Sequence, residues 1–134
     1  MKPFALEPGM LTIRGVFYPT GHLFLMFPDE RAARDAERAL ERNGHSGEHI
    51  CLLTPAEILE KIAATAGTDD PLPSPGTEVQ TLRKFTRLAQ QGHHGLLIHA
   101  PSHDETEHIM QVLQGHPVSY GQKYRHLVIE DLVT

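Results

Sequence analysis

Tryptophan is missing from this chain, cysteine occurs once, and aromatic residues make up 6% of it. A lone Cys51 excludes an intrachain disulfide and any Cys-x-x-Cys metal or redox motif, and its place in Ile50-Cys51-Leu52-Leu53 makes it a small hydrophobe in a strand. A surplus of positive charge is also missing: 12 Lys and Arg against 17 Asp and Glu leave −5 with histidine neutral. That balance argues against nucleic acid or anionic lipid as a general partner. No apolar run approaches the ~18 residues of a membrane span, and the opening MKPFALEPGMLTIRG is too interrupted for a signal peptide. A cytoplasmic protein is the expectation. Gly-x-Ser-x-Gly, G-x-G-x-x-G and Gly-Lys-Ser/Thr patterns are absent as well, so no nucleophile or phosphate-cradling loop supports catalysis, and a non-enzymatic role is expected.

What is present fits one domain spanning 1–134: 134 residues with 40% apolar content can bury roughly two-thirds of the unfolded surface. Its most legible stretch is 92–116, GHHGLLIHAPSHDETEHIMQVLQGH. Leu96 to Ala100 form a short apolar run of strand character, and Pro101 ends the ladder. Ser102 with Glu105 three residues later is the pattern of a reciprocal helix cap. Ile109, Val112 and Leu113, flanked by Met110, then recur on one helical side until Gly115 and Pro117.

Upstream, Pro3, Pro8 and Gly9 predict an irregular arm over 1–11, and residues 13–27 offer two apolar runs around a Tyr-Pro-Thr-Gly turn. Asp29 is placed to cap a helix whose face is Ala32, Ala33, Ala36, Ala39 and Leu40, stopping at Asn43 and Gly44. A strand at 50–53 follows. Thr54, Pro55 and Glu57 then spell a capping box for a second helix carrying Ile58, Leu59, Ile62 and Ala63. Residues 67–76, with three prolines and two glycines, predict an internal loop. Thr77 with Gln80 opens a third helix with Val79, Leu82, Phe85, Leu88 and Ala89 inward. Val118 to Tyr120 and 127–133, with Leu127 and Ile129 on one face, supply one or two closing elements. Helices alternating with few strands predict an α+β two-layer sandwich, a ferredoxin-like core of four to five strands with extra helices inserted at 54–91. The alternative is a small flavodoxin-like three-layer sheet.

The segments PDERAARDAERALERNG, HICLLTPAEILEKI and GLLIHAPSHDETEHIMQVLQGH, with the closing YRHLVIEDL, resemble the small bacterial heat-induced or general stress proteins. The resemblance implies a compact α/β domain of no settled activity, acting through homo-oligomeric or protein–protein association.

Two chemistries are legible beside it. His99 on the strand, His103 and Asp104 at the helix start and His108 four residues beyond Asp104 are candidate ligands for zinc or nickel, which makes divalent-metal binding by 92–116 the competing function. Phe17, Tyr18, Tyr120 and Tyr124 are candidate contact side chains of a homodimer. Arg31, Arg34, Arg38 and Arg42 step down the first helix as a phosphate-following row would, but Glu30, Asp35, Glu37 and Glu41 interleave with them. The pairs Glu30–Arg34, Arg31–Asp35 and Arg38–Glu41 make a solvated, ion-paired face the stronger reading.

Overall fold

Along residues 22–27, Leu23, Leu25 and Phe27 alternate with Phe24 and Met26, and all five are buried, so this strand has no solvent face. A computed structural model of the chain, which describes residues 1–12, 15–66, 77–126 and 128–133, shows both of its faces covered. The elements run β1 (Lys2–Pro3), β2 (His22–Phe27), α1 (Glu30–Arg42), β3 (Ile50–Leu53), α2 (Pro55–Glu57), α3 (Thr77–Gln90), β4 (His94–His99), α4 (His103–Val112), β5 (Tyr120–Arg125) and β6 (Val128–Val133). Together they form a mixed α+β fold on a six-stranded sheet of order β1-β3-β4-β2-β5-β6.

Local chemistry accounts for the helix starts. Asp29 accepts the Ala32 amide at 2.8 Å, Thr54 and Glu57 complete a capping box, and Ser102 accepts the Glu105 amide at 3.1 Å. After α2 the chain does not remain α-helical: a π turn over Ile58–Ile62 and a 3-10 turn over Ala63–Ala66 follow, and Ile58 and Ile62 are both buried. The cap expected at Thr77, the strand position of Leu127, Ile13 of the first run and the loop at 67–76 lie outside the described residues or side chains.

Each central strand runs against its neighbours: β3 with β4, β4 with β2, β2 with β5 and β5 with β6 are antiparallel, and β1 with β3 is the parallel pair. Both helical crossovers, β2-α1-β3 and β4-α4-β5, therefore skip one strand, and the parallel central sheet of the flavodoxin-like alternative does not form. On one face α1 and α4 bring Ala33, Ala36, Leu40, Ile109 and Leu113 onto Leu23, Leu25, Leu96 and Ile98. On the other, Ile58, Ile62, Val79, Leu82, Phe85 and Ala89 cover Phe24, Met26, Leu53 and Leu97. Helices thus lie on both faces, where two layers were expected, because the second apolar face of β2 also needs a cover.

The opening residues are less irregular than their prolines predict. Lys2 and Pro3 pair with Cys51 and Leu52, Phe4 is buried, and Leu11 bridges Phe17. The Met1 ammonium lies 3.5 Å from Glu41 and 3.8 Å from Glu37, a carboxylate whose pKa is raised by burial and by Glu41 beside it. Among the described residues no helix is long and apolar enough to cross a membrane.

Candidate functional site: a cleft around Lys123

The sequence Tyr-Gly-Gln-Lys-Tyr-Arg is too polar to announce a central strand, yet residues 120–124 of β5 are all buried between β2 and β6. Strand alternation divides its side chains. Tyr120 and Tyr124 join the core under α3, with Gln122 between them, while Lys123 points to the α4 side. Lys123 is 4% exposed. Its ammonium donates to the Ala100 carbonyl and, at 2.7 Å, to the Thr106 hydroxyl.

That hydroxyl is oriented in turn. Thr106 donates to the Ser102 carbonyl at 3.1 Å, so its proton is engaged and its lone pairs face Lys123. Ala100 is braced as well, its amide donating to Gly21 O at 2.9 Å while the Gly21 amide donates to Tyr124 O at 2.8 Å. Gly21 holds φ at +80°, a left-handed turn that brings the entrance of β2 against β4 and β5. The holder of the amine is thus built from four separate segments.

Lys123 lines a cleft of about 370 Å³ whose other walls include Thr20, Gly21, Pro101, His103, Thr106, Arg125, His126 and Glu130. Arg125 and Glu130 are themselves paired at 3.3 Å. No carboxylate among the described residues makes an ion pair with Lys123. Burial holds its pKa below the ordinary lysine value, and the charges of Glu105 and Glu130 oppose that shift without cancelling it.

The metal candidates are not brought together. Leu97 and His99 face the α3 side of β4, whereas α4 covers the face of Leu96, Ile98 and Ala100, so His99 points away from His103, Asp104 and His108. It meets His22 at 4.9 Å and His49 at 5.6 Å between ring centres instead. His103 pairs with Glu107 at 3.1 Å on the rim of the cleft, Asp104 is exposed on the first turn of α4, and His108 Nδ1 lies 2.8 Å from His45 Nε2. Among the described residues no group of three or more His, Cys, Asp or Glu is placed to hold a metal ion.

Three of the four aromatic contact candidates are interior and the fourth, Tyr18, is half-buried. Phe17, Tyr120 and Tyr124 are buried and Tyr18 is packed against them, its hydroxyl donating to Arg125 O at 2.6 Å. Phe17 meets Phe24 and Tyr124 edge-on at 6.0 Å each, and Phe85 meets Tyr120 at 5.4 Å. The area of Phe17, Tyr120 and Tyr124 is spent inside the chain, and Tyr18 keeps part of its surface exposed. On α1, Arg34 pairs with Glu30 at 3.0 Å as expected, while Arg38 takes Asp35 at 3.1 Å rather than Glu41, which faces the N-terminal ammonium.

Sequence reasoning missed Lys123, Thr106, Arg125 and Glu130. Thr106 had a signal: it precedes Ile109 and Leu113 by three and seven residues, which places it on the buried side of α4. Compared with known proteins, the chain matches no family model, no curated protein and no solved structure.

Proposed function

We propose that this protein binds a small anion, a carboxylate or phosphate, in the cleft around Lys123. The observation that carries this reading is a buried ammonium held by two neutral oxygens. An ammonium has three N–H donors, the Ala100 carbonyl and Thr106 hydroxyl take two, and the third has no acceptor among the described residues. A buried cation without a counter-charge is costly, and an anion entering the cleft offsets that cost. Arg125 on the same wall supplies a forked second cation.

Calorimetric titration with inorganic phosphate and with acetate tests the reading. One equivalent of either should bind saturably, and Lys123→Met should weaken it about tenfold or more, the scale of a charge-assisted hydrogen bond. Binding indifferent to Lys123→Met in a folded variant would sink the proposal.

We also infer a ferredoxin-like core from residue 22 to residue 125. What supports it is the order β3-β4-β2-β5 of the four central strands, all antiparallel, with α1 and α4 sharing one face.

A further inference from the structure

We propose that Lys123 is a nucleophile, condensing through its amine with the carbonyl of a small 2-oxo acid held in the cleft to form an imine. The inference rests on the anion-binding reading for the carboxylate of that ligand, which falls here to Arg125, because the Lys123 ammonium must first release its third proton to solvent before its nitrogen can attack. Three features of the site carry it. A neutral lysine amine has two N–H donors and one lone pair, and the Ala100 carbonyl and Thr106 hydroxyl take two N–H bonds. The lone pair is then the position left over, on the amine of a residue that lines a cleft of about 370 Å³. Burial without an ion-pair partner favours the neutral form, the condition under which a lysine attacks carbonyls.

The walls fit the rest of the reaction. Glu130 is the residue directly opposite Lys123 across the β5–β6 ladder, and both line the cleft. Arg125, paired with Glu130 at 3.3 Å, is the cation for the carboxylate of the oxo acid. The Lys123 nitrogen adds to the carbonyl carbon, forming the C–N bond as the carbonyl π bond breaks onto oxygen. One nitrogen proton passes to Glu130 and on to that oxygen. Loss of the second nitrogen proton and departure of the hydroxyl as water leave the C=N bond. Amine plus oxo acid thus gives imine plus water, with no change of oxidation state and no further reagent.

The chain has four lysines, Lys2, Lys61, Lys84 and Lys123, so selectivity is read directly in the unmodified protein. Incubation with pyruvate and sodium cyanoborohydride at neutral pH traps an imine as a stable secondary amine, which peptide mass mapping locates. Lys123 should be carboxyethylated about tenfold faster than Lys61, the gain expected of a positioned and desolvated amine. Thr106→Val should slow trapping at Lys123 and leave Lys61 unchanged. Trapping no faster at Lys123 than at the other three lysines overturns the proposal, and if phosphate still binds by calorimetry the anion reading survives that failure. Preferential trapping of neutral propanal with none of pyruvate overturns it too, since the cleft would then bind carbonyls without recognising the carboxylate.

Discussion

His45 and His108 share a hydrogen bond of 2.8 Å, and two imidazolium rings cannot occupy that geometry. Burial first, and the charge of His108 second, hold the pKa of His45 below the ordinary 6.5, and burial does the same for His22. As pH falls through 6.5 the unfolded chain takes up protons that the folded histidines still refuse. Stability therefore declines from 6.5 down to the folded values and is fully present above 6.5. Urea unfolding at about pH 7.5 and about pH 5.5 should show a loss on acidification that is smaller in His45→Asn, while the share of His22 remains. An equal loss in the variant and the parent would refute the pairing. At this scale the histidines were conspicuous in the chain, but their partners were not: His45 precedes His108 by 63 residues, and no local pattern couples them. Lys123 was hidden for the opposite reason. Its neighbours Gln122 and Arg125 are polar, and its burial comes from α4 lying across β5.

Among the elements, the helix starts were legible because a cap is a contact between residues three apart. Ser102 accepts the Glu105 amide, and its hydroxyl donates to the Glu105 carboxylate at 2.8 Å. Ser102→Ala should cost ~1 kcal/mol in chemical denaturation, and an unchanged midpoint and slope would show that the amide is satisfied without it. The entrance of β4 behaves differently. A Cβ at Gly95 would meet the Phe24 ring at 2.8 Å, and Phe24 is buried against Phe85 with ring centres 4.3 Å apart. Gly95→Ala should destabilise the protein by ~1–3 kcal/mol through overpacking, and an unshifted melting curve would mean the ring has room to move. In the sequence this glycine stands directly before the apolar run of Leu96 to Ala100. The ring of β2 lying over it gives it a packing role that only strand pairing creates.

For the whole molecule, the sheet edge is a second surface that bears on association. β6 ends the strand order, and among the described residues nothing pairs with its outer side. Val128 on it is 58% exposed, while Glu130 and Asp131 stand at its middle. An antiparallel copy centred on this strand would set carboxylates against each other, a common guard against edge pairing. Asp131→Val should make the protein associate with rising concentration in analytical sedimentation. If its sedimentation stays that of the unsubstituted protein, these carboxylates do not guard the edge.

The sequence by itself determined the helix starts at Asp29, Thr54 and Ser102, a strand at 50–53, a strand at 96–100 that pairing shifts to His94–His99, and the inward residues of α1, α3 and α4. Each of these follows from neighbours a few positions apart, where capping and periodicity act. Only the tertiary structure decided that helices cover both faces of the sheet, that β5 is central despite its polar residues, and that His99 is turned away from His103 and His108. It also decided that Phe17, Tyr120 and Tyr124 are core and that Lys123 is buried beside Thr106 and Ala100. These outcomes depend on which strands pair and in what register. A shift of one residue in that pairing exchanges the two faces of a strand, and with them every side chain the cleft contains.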